Sequence, residues 1–173
     1  MKDGKLPEVE ITGVFSNVEN CGALEKARAN KISAVFVDSS GKSGEIFDEE
    51  LAAKIGDVDL VCLIGYMRII SPKFIEKYEG EIINVHPALL PKYAGKGFYG
   101  QNVHKAVLRA GEKESGMTIH YVTADVDEGP ILIQKKISIA DGETPESLKA
   151  KVQELEKKYY PEAIRLIKKE REL

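Results

Sequence analysis

The eight residues Asp59–Tyr66 (DLVCLIGY) carry apolar side chains at successive positions, not alternate ones, and this run narrows the possible folds most. A strand-sized segment apolar on both faces must be covered on both, as in the middle of a parallel sheet with helices on either side. The surrounding sequence has the matching rhythm. Val9–Phe15 reads as a strand, Leu24–Asn30 as a short helix, Ile32–Asp38 as a strand and Ile46–Ile55 as an amphipathic helix. Ser71-Pro72 opens another helix, with serine as N-cap and proline at the first helical position. Glu81–Val85 is the next strand. A β-α-β-α-β-α-β order implies right-handed crossovers. The expected fold is α/β, an open doubly wound, mostly parallel sheet.

The rhythm changes after a glycine- and aromatic-containing loop, Gly95 to Gly100. A helix is expected over Asn102–Ala110, and Met117–Val122 and Ile131–Ile139 follow with only a loop between them, so at least one of these strands runs antiparallel. Thr144-Pro145 opens a long C-terminal helix in which Leu148, Val152, Leu155 and Tyr159 form an apolar stripe. Pro161 is expected to kink or break that helix, because proline lacks an amide donor and crowds the preceding turn.

At 173 residues the chain is long enough for one domain with a proper core, so residues 1–173 are read as a single domain. A net charge of −3 without a Lys/Arg block argues against a nucleic-acid partner. No apolar run reaches bilayer length, and the first residues lack the apolar core of a signal peptide, so neither a membrane partner nor export is expected. Cys21 and Cys62 lie far apart and read as reduced, partly buried thiols of a cytoplasmic protein. Gly41-Lys42-Ser43 lacks the upstream glycine of a phosphate-binding loop and reads as a turn.

In open α/β sheets, ligands bind beyond the carboxyl ends of the strands. Three segments fall there: Gly65 to Arg68, Asn84 to Pro87, and Thr123 to Pro130. Asn84 and His86 are two apart in extended backbone and point to the same side. An amide donor beside an imidazole suits stabilisation of a developing oxyanion, and a carboxylate at Asp127 would orient His86 and relay a proton through water. The same residues also permit a structural strand end and a simple turn before Gly129-Pro130. His104, on a helix, and His120, on the alternating strand TIHYV, read as packing or hydrogen-bonding residues, not catalysts. Three widely spaced histidines without a partner at ligand spacing offer no metal site.

The strings Tyr66-Met67-Arg68-Ile69-Ile70-Ser71-Pro72, Ile83-Asn84-Val85-His86-Pro87-Ala88-Leu89-Leu90-Pro91 and His120-Tyr121-Val122-Thr123, then Asp127, Gly129-Pro130 and Gln134, resemble the glycinamide ribonucleotide formyltransferase family in order and separation. The resemblance runs from about Val14 to the end. It implies transfer of a formyl group from 10-formyltetrahydrofolate to the amine of glycinamide ribonucleotide in purine biosynthesis, without a covalent enzyme intermediate or a metal. It also implies a catalytic trio of Asn84, His86 and Asp127. Folate would be cradled by Met67, Arg68, Ile69 and Ile70, by Asn84, and by Thr123, Ala124, Asp125, Val126 and Asp127. Gln153 and Glu156 would lie near the ribonucleotide, their spacing placing both on one helix face away from the apolar stripe.

Some family features have no counterpart in this sequence. The first strand and Gly-Ser-rich phosphate loop are missing, so the chain is either a fragment or a natural short form, and weak ribonucleotide binding with low turnover is expected. Gly44 stands where the family often carries an arginine, and Asn102 takes the place of a family histidine. Two alternatives stay open, a formyltetrahydrofolate hydrolase and a non-catalytic folate-binding remnant. A monomer and a homodimer fit equally.

Overall fold

The computed structural model describes residues 6, 8–78 and 82–171; Met1–Lys5, Pro7 and Glu81 of the segments read above lie outside them. The chain forms two compact units, Met1–Leu60 with Arg68–Glu79, and Val61–Met67 with Gly80–Leu173.

In the first unit, β1 (Val14–Ser16) and β2 (Ala34–Phe36) pair in parallel, Val14 opposite Ala34. The helix between them, α1 (Gly22–Ala29), packs on both strands and buries Leu24 and Ala27. Each ladder is only three residues long. Residues 9–13 of the longer expected strand have no partner strand and remain outside it. The helix α2 (Gly44–Ile55) starts two residues before the apolar pattern suggests, because Ser43 caps it by accepting from the Ile46 amide. Gly56, at φ 70°, ends it. The expected cap on α3 (Pro72–Lys77) is present, Ser71 Oγ accepting from the Phe74 amide at 3.4 Å. The Tyr78 hydroxyl ties α3 to α2 by donating to the Gly56 carbonyl at 2.8 Å.

The second unit holds one sheet in the order β3 (Val61–Leu63), β4 (Ile82–His86), β5 (Glu114–Tyr121), β6 (Ile131–Ser138). The β3–β4 pair is parallel, and both β4–β5 and β5–β6 are antiparallel. The antiparallel portion toward the C-terminus is as expected. A helix, α4 (Gln101–Arg109), precedes β5, and α5 (Pro145–Arg171) packs on α4, β5 and β6.

Four expectations are corrected. The run Asp59–Tyr66 contributes only a three-residue strand, and it lies at the edge of its sheet, not the middle. With β4 on one side alone, Cys62 and Ile64 are exposed, so Cys62 reaches the surface more than expected, although burial still pushes its thiol up to about 11; Cys21 is half-buried, and both are free thiols. Pro161 does not break α5, which runs through it. The carbonyl that loses its helical partner belongs to Lys157, an exposed residue open to solvent, and burial of Tyr160, Ala163 and Ile167 carries the helix past. The buried stripe itself is Leu148, Val152, Tyr160, Ala163 and Ile167, leaving Leu155 and Tyr159 half-buried.

Candidate active site

The antiparallel register of β4 and β5 builds the site. Asn84 stands opposite His120, and His86 opposite Thr118. Residues directly opposite on one face meet side chain to side chain, and Asn84 Nδ2 lies 3.3 Å from His120 Nε2. The other ring nitrogen of His120, Nδ1, is 2.9 Å from the Tyr121 carbonyl, which can only accept. That contact assigns the proton to Nδ1 and makes Nε2 the acceptor for the Asn84 amide. His120 therefore fixes which way Asn84 points, and one N–H of that amide stays free.

The His86 ring is tied down from the opposite nitrogen. Its Nε2 donates to the Tyr93 carbonyl at 2.7 Å, and Tyr93 holds that carbonyl in place with a left-handed backbone, φ 58°. Nδ1 is then the open nitrogen, and Asp127 Oδ2 stands 3.5 Å from it. His86 is buried, and burial pulls its pKa below the usual histidine range, against the opposing pull of Asp127 and the Tyr93 carbonyl. Burial likewise lowers His120. Asp127 also lies 3.7 Å from His120 through Oδ1 and accepts from the Gly95 amide at 2.9 Å.

Two further contacts hold this geometry. Asp127 sits at φ 62°, a left-handed conformation in which aspartate is among the better-tolerated residues. Two residues on, a Cβ at Gly129 would fall 1.8 Å from the Tyr121 carbonyl oxygen, so only glycine lets the loop return against β5. On the other side, the fully buried Thr118 hydroxyl donates to Ala88 O and accepts from the Leu90 amide and from Gln134 Nε2. These bonds clamp the segment that follows His86 and leads to Tyr93.

The structure thus brings Asn84, His86 and Asp127 together. It adds Thr118 and Tyr93, which the sequence reading missed. His120 takes the hydrogen-bonding role expected of it, but its partner, Asn84, emerges only through cross-strand register. His104 keeps its packing role on α4, 2% exposed, its pKa pushed down to about 4 by burial, Lys149 and His86. Asn102 is exposed and closes its own loop by donating to the Gly97 carbonyl.

The other expected site residues fall in both units. Met67 belongs to the second unit and is 60% exposed, while Arg68, Ile69 and Ile70 belong to the first. Thr123 is half-buried, its hydroxyl donating to the Asp125 carbonyl, and Ala124, Asp125 and Val126 are exposed. Gln153 is exposed, but Glu156 is half-buried, four residues from both Val152 and Tyr160, in line with the buried stripe and not away from it. Burial raises its carboxyl to about 7. Lys42 is engaged by the Asp38 carbonyl and Glu50, as a turn residue would be. Gly44 opens α2 and is exposed. Among the described residues no helix is long and apolar enough to cross a membrane, and no group of three or more His, Cys, Asp or Glu is placed to hold a metal ion.

Comparison with known proteins identifies relatives over most of the chain. The sequence matches the formyl transferase family over residues 1–164. It is 37% identical over 154 residues to the phosphoribosylglycinamide formyltransferase of Escherichia coli, covering 87% of this chain and 70% of that protein. It is 38% identical over 167 residues to the chloroplastic phosphoribosylglycinamide formyltransferase of Arabidopsis thaliana, covering 94% of this chain and 57% of that one, so this chain spans little more than half of its plant relative. Among solved structures, glycinamide ribonucleotide transformylase 1 of Symbiobacterium toebii superposes with a TM-score of 0.84 at 37% identity, over 90% of this chain and 73% of that one. With the match running over most of its length, the chain belongs to the formyl transferase family.

Proposed function

We propose that this chain transfers the formyl group of 10-formyltetrahydrofolate to the amine of glycinamide ribonucleotide, in purine biosynthesis. The observation that carries the reading is the open His86 Nδ1 facing Asp127 Oδ2 at 3.5 Å, beside an Asn84 amide pinned by His120. The amine attacks the formyl carbon, and negative charge grows on the former carbonyl oxygen. The free N–H of Asn84 donates to that oxygen. His86, neutral because burial lowers its pKa, takes a proton at Nδ1 and becomes the second donor, with Asp127 balancing the imidazolium. The new bond is amine nitrogen to formyl carbon, and the bond that breaks joins that carbon to folate N10. The amine's proton moves by way of the His86–Asp127 pair and water to the departing N10. No metal is needed, because oxyanion donors and a proton path suffice.

The family resemblance supports Met67, Arg68, Ile69 and Ile70 and Thr123 to Asp127 as the folate cradle, and Gln153 and Glu156 as ribonucleotide contacts. A cytoplasmic location, and a monomeric or homodimeric state, go with the same reading. The test is an assay with both substrates. Tetrahydrofolate release that depends on glycinamide ribonucleotide supports transfer. Release at the same rate without the ribonucleotide would instead make the chain a hydrolase, and binding without turnover a folate-binding remnant.

A further inference from the structure

We propose that Asp48 of α2 is a positioning residue for the formyl-folate segment Arg68–Ile70, acting through the backbone of Ser71; this rests on the folate-dependent reading above. The observation begins with a carboxylate in the wrong place for stability. Asp48 is 1% exposed, on the buried face of α2 with Phe47, Leu51 and Ala52. Among the described residues only one of its oxygens is bonded: Oδ2 accepts from the Ser71 amide at 2.6 Å, and the buried Oδ1 has no hydrogen-bond partner. A half-satisfied buried carboxylate stabilises a fold poorly, since a buried acceptor without a partner keeps its full desolvation cost. An apolar residue would serve the core better.

What the bond does is fix the backbone at one point. Ser71 is the N-cap of α3, and its hydroxyl is already committed to the Phe74 amide. The amide of an N-cap residue lies outside the helical ladder, so without Asp48 it has no intrahelical acceptor. The neighbouring residue of α2 makes a second grip, the Arg68 guanidinium lying 4.7 Å over the Phe47 ring. Phe47 and Asp48 thus hold both ends of the segment 68–71, and between them Ile70 is buried at 7%. The one residue left outside is Ile69, 60% exposed, with an apolar side chain aimed at solvent. A segment anchored at both ends that presents an apolar side chain and its own backbone suits a flat, hydrogen-bonding heteroaromatic ring such as a pterin. The anchor sets its geometry before the ligand arrives, so its loss should appear as lost affinity.

The experiment compares Asp48→Ala, Asp48→Asn and Leu24→Ala in the whole chain. Leu24 is fully buried in the same unit and serves as a control for simple destabilisation. Calorimetry with tetrahydrofolate, steady-state kinetics and hydrogen exchange at the Ser71 amide are measured on each. Asp48→Ala should expose the Ser71 amide to exchange and weaken tetrahydrofolate binding about tenfold, with KM for formyl-folate rising in parallel and kcat and KM for the ribonucleotide changing little. Asp48→Asn keeps a carbonyl acceptor for Ser71 and should restore most of the affinity. Leu24→Ala should lower the melting temperature without loss of affinity. Unchanged affinity in Asp48→Ala, or an equal loss in Leu24→Ala, overturns the assignment of Asp48 while leaving the functional reading intact. A parent chain that neither binds tetrahydrofolate nor transfers formyl overturns the functional reading, and this inference with it.

Discussion

A left-handed backbone at a non-glycine residue costs about 1 kcal/mol or more, and Asp127 bears that strain at φ 62°. In return its carboxylate accepts from the Gly95 amide and stands 3.5 Å from His86 Nδ1 and 3.7 Å from His120 Nε2, ring nitrogens that attract it only once one of them takes a proton. Asparagine tolerates the same conformation and still accepts from Gly95, but carries no charge to balance an imidazolium. Asp127→Asn should therefore fold with stability within about 1–2 kcal/mol of the parent, as exchanges that create no cavity or orphan charge usually do. Its formyl transfer should fall a hundredfold or more, roughly the effect of losing one electrostatic contact to the transition state. His86→Ala should lose activity at least as far. Denaturant titration beside a turnover assay checks both. Parent-like turnover in either variant would remove that residue from the chemistry.

At the scale of elements, the site depends on a close approach that local sequence did not reveal. The Asp127 loop returns to β5 only because Gly129 has no side chain. Gly129→Ala places a methyl 1.8 Å from the Tyr121 carbonyl, so the loop must move. Stability should drop by about 2 kcal/mol or more. Activity should fall more than that loss explains, since a displacement of about 1 Å at a reacting group costs roughly a hundredfold. Activity that tracks only the folded fraction would show that the loop's position does not matter. In α5 the opposite change is expected to help. Pro161→Ala returns a donor to the Lys157 carbonyl and should raise stability by about 1–3 kcal/mol, read as a higher melting temperature. The helix itself was legible from its cap residues and spacing, and so were Ser71-Pro72 and the Asn-x-His pair. What escaped was tertiary. The true stripe of α5 follows Tyr160, Ala163 and Ile167 instead of Leu155 and Tyr159, because the partner surface selects the face. The run Asp59–Tyr66 reads as interior by composition, yet hydrogen bonding gives its strand a single neighbour. His120 reads as a packing or hydrogen-bonding residue, and its partner Asn84 appears only once register places the two across from each other.

Across the molecule, buried ionisable groups pull stability in opposite directions as pH changes, and the histidines outnumber the carboxylate. His104 binds its proton at about 4 when folded and near the ordinary histidine value when unfolded, and His86 and His120 are shifted in the same direction. Between those values the unfolded chain holds more protons, so stability falls as pH drops from about 6.5 toward 4. Glu156 has the reverse sign. Its folded carboxyl is held up at about 7, so the folded chain holds more protons between about 4.5 and 7, and stability is lost as pH rises through that window. Lys149 faces both groups, lowering His104 and Glu156 alike, and Lys157 adds to the pull on Glu156. Three histidines against one glutamate predict a net rise in stability from pH 4.5 to 6.5. Glu156→Gln should steepen that rise and should stabilise the protein at pH 8, by on the order of 3 kcal/mol, while changing little at pH 4. His104→Gln should flatten it. Urea unfolding midpoints measured across this range on parent and both variants provide the check. If Glu156→Gln gains the same stability at pH 4 as at pH 8, the carboxyl does not titrate in this window, and burial at that turn of α5 is not what raises it.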